Sequence, residues 1–428
     1  MERFFALSEH GTTARREMGA GVATFLTMAY ILIVNPQILS AAGMDHGAAF
    51  VATCLAAAIG SALMGLLANY PIALAPGMGI NAYFAFGVVG AMSVPWQVAL
   101  GGVFISGVLF LILSLLHVRE WLIGGIPLSL KLGIAAGIGM FLGLIGLKNL
   151  GLVVGNPETL VAMGHLGSTP VLLGCAGLLL IAALAARGVQ GSVVIGILVT
   201  AAAGIPFGLT TFHGVVAAPP SLAPTFLQMD LAGALSLGLV SVVFVFFLVD
   251  LLDNTGTLIA TTQRAGLMRP DGSVPKLGRA LLADSGAVMA GAALGTSPTV
   301  SYIESAAGIQ QGGRTGLTAL TVAALFLLAL FLAPIAASVP AFATAPALIF
   351  VACLMAQALK YMDWGDETEY LPAMLTVLAM PFTFSIATGI GLGFLAYAGI
   401  KTLAGRAGEV HGAVWVLSAL CAMKFAVS

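Results

Sequence analysis

Asp250 and Asp253 stand three residues apart, just after a run (231–249) that is almost wholly apolar. On a helix this spacing puts both carboxylates on one face. Two carboxylates that close do not both ionise readily, so the pair can hold a shared proton near neutral pH. Ionisable groups in such apolar segments usually face a cavity or a partner and have a task. The structural alternative is that Asp253-Asn254-Thr255 caps the end of the helix. Glu304 is a further isolated acid among small and apolar neighbours, with no Lys or Arg close by in sequence. Asn81 brings one amide donor group and one acceptor, although a buried Asn can also merely tie backbone together. Asp284, near the end of its apolar stretch and after Arg279, suits a salt bridge or an interface equally well. The set Asp250, Glu304 and Asn81 suits a planar heterocycle whose ring N–H and carbonyl or amine groups alternate. A carboxylate accepts from adjacent N–H donors, and an amide reads an N–H/C=O edge. An aromatic side chain such as Tyr30, Tyr83 or Phe84 could cover the ring face.

The elements that must position these residues are membrane spans. Of 428 residues, 60% are hydrophobic and only 8% charged, against roughly 25% charged in soluble domains. No soluble core buries so much apolar surface, so an all-α polytopic membrane protein is expected. Fourteen apolar segments can be delimited: 19–42, 47–68, 71–89, 96–117, 129–149, 170–187 and 190–209, then 231–257, 278–295, 298–311, 315–337, 343–361, 369–386 and 388–404. A proline-bearing stretch (210–230) connects the two sets, and 411–427 is a further apolar stretch, either interfacial or an extra span.

With the N-terminus inside, the inner loops collect Arg119, Lys131, Arg187, Arg264, Lys276, Arg314, Lys360 and Lys401, while Lys148 alone falls outside. This satisfies the positive-inside rule. Residues 1–18 read as a cytoplasmic lead-in without a cleavable signal, and the Arg-Pro-Asp-Gly run at 269–272 as a turn. The net charge of −1 argues against a nucleic-acid partner. The four cysteines and six histidines are scattered without metal-site spacing, so neither a metal nor a cofactor is expected. The acidic group Asp363, Asp366, Glu367 and Glu369 reads as a solvated inner loop.

Two segments are too broken for ordinary spans. Tyr70-Pro71-Ile72-Ala73-Leu74-Ala75-Pro76-Gly77-Met78-Gly79-Ile80-Asn81 and Gly295-Thr296-Ser297-Pro298-Thr299-Val300-Ser301-Tyr302-Ile303-Glu304 each run from an extended, proline-bearing lead-in towards a short helix. Irregular backbone at membrane depth is tolerated only where it is buried in protein or lines a cavity. Pro127 and Pro340 lie about half the chain apart in similar surroundings, as do Asn35-Pro36 and Asp250. Broken segments in matching positions of two halves point to a transport site at the midplane, and seven spans per half would invert the second half. Gly77 and Gly79 would let a flat ligand approach the backbone.

Three motifs in order, Ala75-Pro76-Gly77-Met78-Gly79-Ile80-Asn81-Ala82, Asp250-Leu251-Leu252-Asp253-Asn254-Thr255-Gly256-Thr257-Leu258 and Thr299-Val300-Ser301-Tyr302-Ile303-Glu304-Ser305-Ala306-Ala307-Gly308, resemble those of the AzgA-like purine permeases, a branch of the nucleobase–ascorbate transporter superfamily. Thr24-Phe25-Leu26-Thr27-Met28-Ala29-Tyr30-Ile31 fits as well, and the resemblance covers nearly the whole chain. It implies the uracil-transporter fold, a 7+7 inverted repeat with short antiparallel strands before two half-helices. It implies a core domain (19–117 and 231–337), a gate domain (118–209 and 338–404), a connecting loop (210–230) and a C-terminal segment (405–428). It further implies a homodimer in the bacterial cytoplasmic (inner) membrane.

The activity so implied is proton-coupled import of adenine, guanine or hypoxanthine, not an enzymatic reaction. Gly79, Asn81, Asp250 and Glu304 are the matching functional positions, with Ser301 and Tyr30 as further substrate contacts and Asp250, Asp253 and Glu304 as proton-coupling groups. Asn254 departs from the family pattern and bears on fine substrate choice. The rivals are a uracil or xanthine carrier and an inorganic-anion carrier of the same fold. An anion site should offer cations or bare helix N-termini rather than several acids. A membrane enzyme would need a nucleophile–base set or metal ligands, and a channel a filter motif; the sequence offers neither.

Overall fold

The computed structural model describes residues 2–116, 125–236, 240–267 and 274–427. The turn expected at 269–272 therefore lies outside the described residues, as does the side chain of Asp253. The helices needed below are α1 (Ala14–Met28), α2 (Ile31–Ala41) and α3 (His46–Leu63), then strand β1 (Leu74–Pro76) and helix α4 (Met78–Ala82). There follow α5 (Trp96–Leu115), α6 (Leu128–Leu150), the hairpin β2 (Val153–Asn156) and β3 (Leu160–Met163), α7 (Thr169–Ala186) and α8 (Ser192–Ala203). The second half holds α9 (Val240–Arg264), α10 (Leu277–Leu294), β4 (Thr299–Ser301), α11 (Ser305–Gln310) and α12 (Gly316–Ala329). It closes with α13 (Ala341–Ala356), α14 (Glu367–Phe382), α15 (Ile386–Leu403) and α16 (Gly412–Val427). Among the described residues nine helical stretches are long and apolar enough to cross a membrane.

The helix contacts fall into two sets. In one, α12 packs on α1 and α3, and α10 on α3 and α5. In the other, α6 packs on α13 and α14, α14 on α15, and α7 on α8 and α13. Close approach in lipid relies on small residues, and α6 shows why. A β-carbon at Gly133 would lie 2.8 Å from the Ala373 backbone, and one at Gly146 2.8 Å from Ile349.

Several expectations are corrected. The first span is interrupted: α1 stops at Met28, and α2 restarts at Ile31 with Leu32 N–H donating to Ala29 O at 3.1 Å. The run 231–257 is not one helix from its start; a short helix (Leu231–Ala234) precedes α9. Asp250 is therefore in the body of α9, and Asp253-Asn254-Thr255 continues the helix instead of capping it. The hairpin β2–β3 is a further difference: it fills the connection between the spans 129–149 and 170–187, where no regular structure is expected from the sequence.

The lead-in also changes. Helix α1 begins at Ala14, inside it, and Glu17 is fully buried. Its carboxylate accepts from the Arg314 and Thr315 amides at 2.9 and 3.1 Å and from Thr318 Oγ1 at 2.6 Å. A side chain distant in sequence thus satisfies orphan donors at the start of α12. The acidic stretch expected to be a solvated loop is only partly solvated. Asp366 accepts from Arg406 Nη1 at 2.8 Å, and the buried Lys401 ammonium lies 2.8 Å from both Glu369 and Glu409. The C-terminal helix α16 runs antiparallel to α15. Ser418 Oγ donates to Phe394 O at 3.0 Å, and Phe425 lies over Gly391.

Candidate functional site

The site is built on one short strand pair. β1 and β4 run antiparallel, with Leu74 opposite Ser301, Ala75 opposite Val300 and Pro76 opposite Thr299. Gly77 N–H extends the ladder to Pro298 O at 2.9 Å, and Tyr302 N–H to Ala73 O at 3.0 Å. This sheet has two strands among the described residues, so the remaining backbone groups must find side chains. Leu74 N–H donates to Ser61 Oγ at 3.0 Å, Ala73 N–H to Ser305 Oγ at 3.0 Å, and Ser301 N–H to Asn254 Oδ1 at 3.0 Å. Gly295, in the left-handed region at φ 95°, ends α10 and releases the chain into this extended stretch. The two polypeptide halves therefore meet at the strand pair, and the short helices α4 and α11 leave from it.

Glu304 lies immediately before α11 and is half-buried. Tyr30, at the break between α1 and α2, is 2% exposed, and its hydroxyl donates to Glu304 Oε1 at 2.6 Å. Thr27 Oγ1 lies 3.4 Å from the Glu304 carbonyl. Tyr30 is thus tied to the carboxylate through its hydroxyl, a contact that the ring-covering expectation did not contain. Asn81 lies inside α4 and is fully buried; its Nδ2 donates to Asn35 Oδ1 at 2.9 Å. Asp250 is fully buried on α9. That helix packs against β4, α11 and α4, and so reaches both halves of the site. Ser301 is buried, and its Oγ has no hydrogen-bond partner among the described residues.

On the side where a β-carbon would stand, Gly77 and Gly79 have close protein neighbours. A β-carbon at Gly79 would overlap Ile138 Cγ2 of α6, and one at Gly77 would lie 2.8 Å from Val300 Cγ2. Both absences of a side chain therefore serve close packing at these points. Asn254 acquires a structural task, since its Oδ1 holds β4. Asp284 is fully buried in α10. The residue the sequence reading left out of the site is Asn35. Its Nδ2 donates to Thr53 Oγ1 at 2.8 Å and to Thr296 Oγ1 at 2.9 Å. An asparagine just before Pro36, after the apolar run Ile31-Leu32-Ile33-Val34, is the signal that could single it out.

A helical chain with many apolar spans, whose two halves join at a buried strand pair flanked by polar side chains, defines a polytopic membrane protein of transporter architecture. Residues 15–392 match the Xan_ur_permease model, described as Permease family, and the chain belongs to that family. The adenine permease AdeP of Escherichia coli (strain K12) is 50% identical over 424 residues, covering 99% of this chain and 95% of AdeP. The guanine/hypoxanthine permease PbuG of Bacillus subtilis (strain 168) is 45% identical over 437 residues, covering 99% of both chains. These names agree with the resemblance to purine permeases drawn from the three motifs. The transmembrane domain of the cyanobacterial bicarbonate transporter BicA matches with a TM-score of 0.65 at 16% identity, covering 88% of this chain and 96% of that one. At such identity the likeness concerns the fold.

Proposed function

We propose that this chain is a proton-coupled carrier that imports purine nucleobases across the cytoplasmic membrane by alternating access. The observation that carries the reading is the convergence of Glu304, oriented by Tyr30, and Asn81 beside one buried strand pair. A carboxylate and an amide carbonyl are the groups a heterocycle with several N–H donors requires. The names of relatives matching nearly the full length narrow the heterocycle to adenine, guanine or hypoxanthine. Several acids and no nearby cation in the motifs argue against an inorganic anion.

In this reading a proton arrives from outside on Asp250, shared with Asp253. The neutralised site admits the purine, whose polar edge meets Glu304 and Asn81, with Ser301 beside them and Tyr30 fixing the acid. The helix set around α3, α10 and α12 serves as the moving core. The set around α6, α13 and α14 serves as the gate, through which two copies would pair. Proton and purine shift the equilibrium between states only through different affinities for each. The N-terminus faces the cytoplasm, consistent with the distribution of Lys and Arg.

The test is uptake of labelled hypoxanthine into proteoliposomes with and without an inward proton gradient. Unlabelled adenine, guanine, uracil and sulfate are the competitors. Gradient-driven uptake blocked by purines alone is the expected result. Uptake insensitive to the gradient would remove the proton coupling, and block by uracil or sulfate would replace the substrate class.

A further inference from the structure

The amide of Asn81 is oriented by a chain of hydrogen bonds that begins at a backbone carbonyl. Ala49 O, on α3, can only accept, and Thr53 Oγ1 donates to it at 2.6 Å. That commits the single hydroxyl proton of Thr53, so Thr53 can meet Asn35 only as an acceptor. Asn35 must therefore turn its NH2 group towards Thr53, at 2.8 Å, and towards Thr296, at 2.9 Å. Its carbonyl is left facing Asn81, which answers with its own NH2 group at 2.9 Å. Asn35, Thr53, Asn81 and Thr296 are all fully buried, so no solvent relaxes the constraint. The end of the relay is Asn81 Oδ1, buried and without a hydrogen-bond partner among the described residues. A buried carbonyl in that condition is costly and calls for a donor.

We propose that Asn35 is a positioning residue that presents Asn81 to the ligand solely as a hydrogen-bond acceptor, so that this point of the site is read by a substrate N–H. The proposal rests on the purine reading above and deepens it. Without the relay, an asparagine could turn either end of its amide to the ligand and accept donors and acceptors alike. With it, a ring N–H or exocyclic amine is required, and an N-methyl group at the same place is rejected. Glu304 is acceptor-only when ionised, so the substrate must offer N–H groups to both.

The test compares hypoxanthine with its 1-, 7- and 9-methyl derivatives as competitors of labelled hypoxanthine uptake. In the wild type, methylation at one position weakens competition by about tenfold or more, since a lost donor leaves a buried acceptor unpaired. In Asn35→Leu, nearly isosteric but unable to hold the Asn81 amide, the penalty at that position shrinks to roughly threefold or less. The KM for hypoxanthine rises there by about tenfold while Vmax stays within about threefold, as expected for lost ground-state binding. The double variant Thr53→Val/Thr296→Val keeps both asparagines, removes the pins and reproduces the loss if Asn35→Leu does not reach the membrane. An unchanged methyl penalty in the Leu variant or the double variant overturns the role of Asn35. So does a wild type indifferent to methylation at all three positions. Absence of purine uptake by the wild type would instead remove the purine reading, and this proposal with it.

Discussion

Tyr30 Oη donates a 2.6 Å hydrogen bond to Glu304 Oε1 across 274 residues of sequence. It joins the break in the first span to the residue before α11, one from each half of the chain. A hydrogen bond to a carboxyl oxygen is among the stronger polar contacts when that carboxyl is ionised, and this pair fixes where the carboxyl stands before any ligand arrives.

Tyr30→Phe keeps the ring and removes the bond. Hydrogen bonds to charged groups contribute about 1.5–3 kcal/mol, so KM for hypoxanthine should rise by about tenfold to hundredfold with little change in expression. Uptake kinetics decide it. An unaltered KM would mean that the ring alone matters.

Asp250→Asn should abolish the response of uptake to an imposed proton gradient while leaving some exchange of internal for external purine. Glu304→Gln should lower purine affinity by about tenfold or more, because a neutral amide is a weaker acceptor than a carboxylate. Full gradient-driven uptake in both variants would remove Asp250 and Glu304 from the mechanism.

Gly79→Ala places a methyl group against Ile138 Cγ2. Overpacking of this kind costs about 1–3 kcal/mol. Transport should fall sharply and recover in part in Gly79→Ala/Ile138→Ala, where the space is returned. If Gly79 instead meets the ligand, the second substitution will rescue nothing.

The ion cluster at the start of α14 and the end of α15 gives a pH dependence with a definite sign. Hydrogen bonds from Thr368 and then Arg406 pull Asp366 down to about 2, and those from Arg406 and Lys401 pull Glu409 down to about 2. Carboxyls lowered below their unfolded values, about 4, stabilise the fold above that pH. The contribution is lost as pH falls from about 4 through about 2. Thermal melting in detergent should be flat from about pH 7 to 5 and decline below about 4. Glu409→Gln should blunt that decline; an identical profile in this variant would show that the cluster does not set it.

Glu17→Ala strips the start of α12 of its carboxylate. Leaving the Arg314 and Thr315 amides unpartnered costs about 1–3 kcal/mol each, so the melting temperature should drop by several degrees. Glu17→Gln should lie between, since one oxygen remains to accept. A melting temperature unchanged in the Ala variant would show that water caps the helix equally well.

Much of the architecture was legible before any coordinates. Helix placement in a membrane follows from runs of apolar residues, because lipid demands them and tolerates little else. The broken segments around Pro76 and Pro298 stood out for the same reason, and their extended lead-ins are β1 and β4. Errors fell where apolar composition does not distinguish between structures. The Ala29-Tyr30 break, the hairpin β2–β3 and the lie of α16 against α15 leave hydropathy unchanged. The solvated reading of Asp366 and Glu369 failed because ion pairing to Lys401 and Arg406 depends on how α14 meets α15.

By itself the sequence determined the membrane class, most of the apolar helices, and the isolated polar residues Asp250, Glu304 and Asn81, since each of these residues is a local departure from an apolar background. Only the tertiary structure decided what those residues face. That Tyr30 holds Glu304, that Ile138 fills the space beside Gly79, and that Ala49 ultimately orients Asn81 through Thr53 and Asn35 are relations between separate elements, set by how those elements pack. Hydrogen-bond direction and side-chain overlap act over a few ångströms in space, and no periodicity along the chain encodes which segments are brought that close.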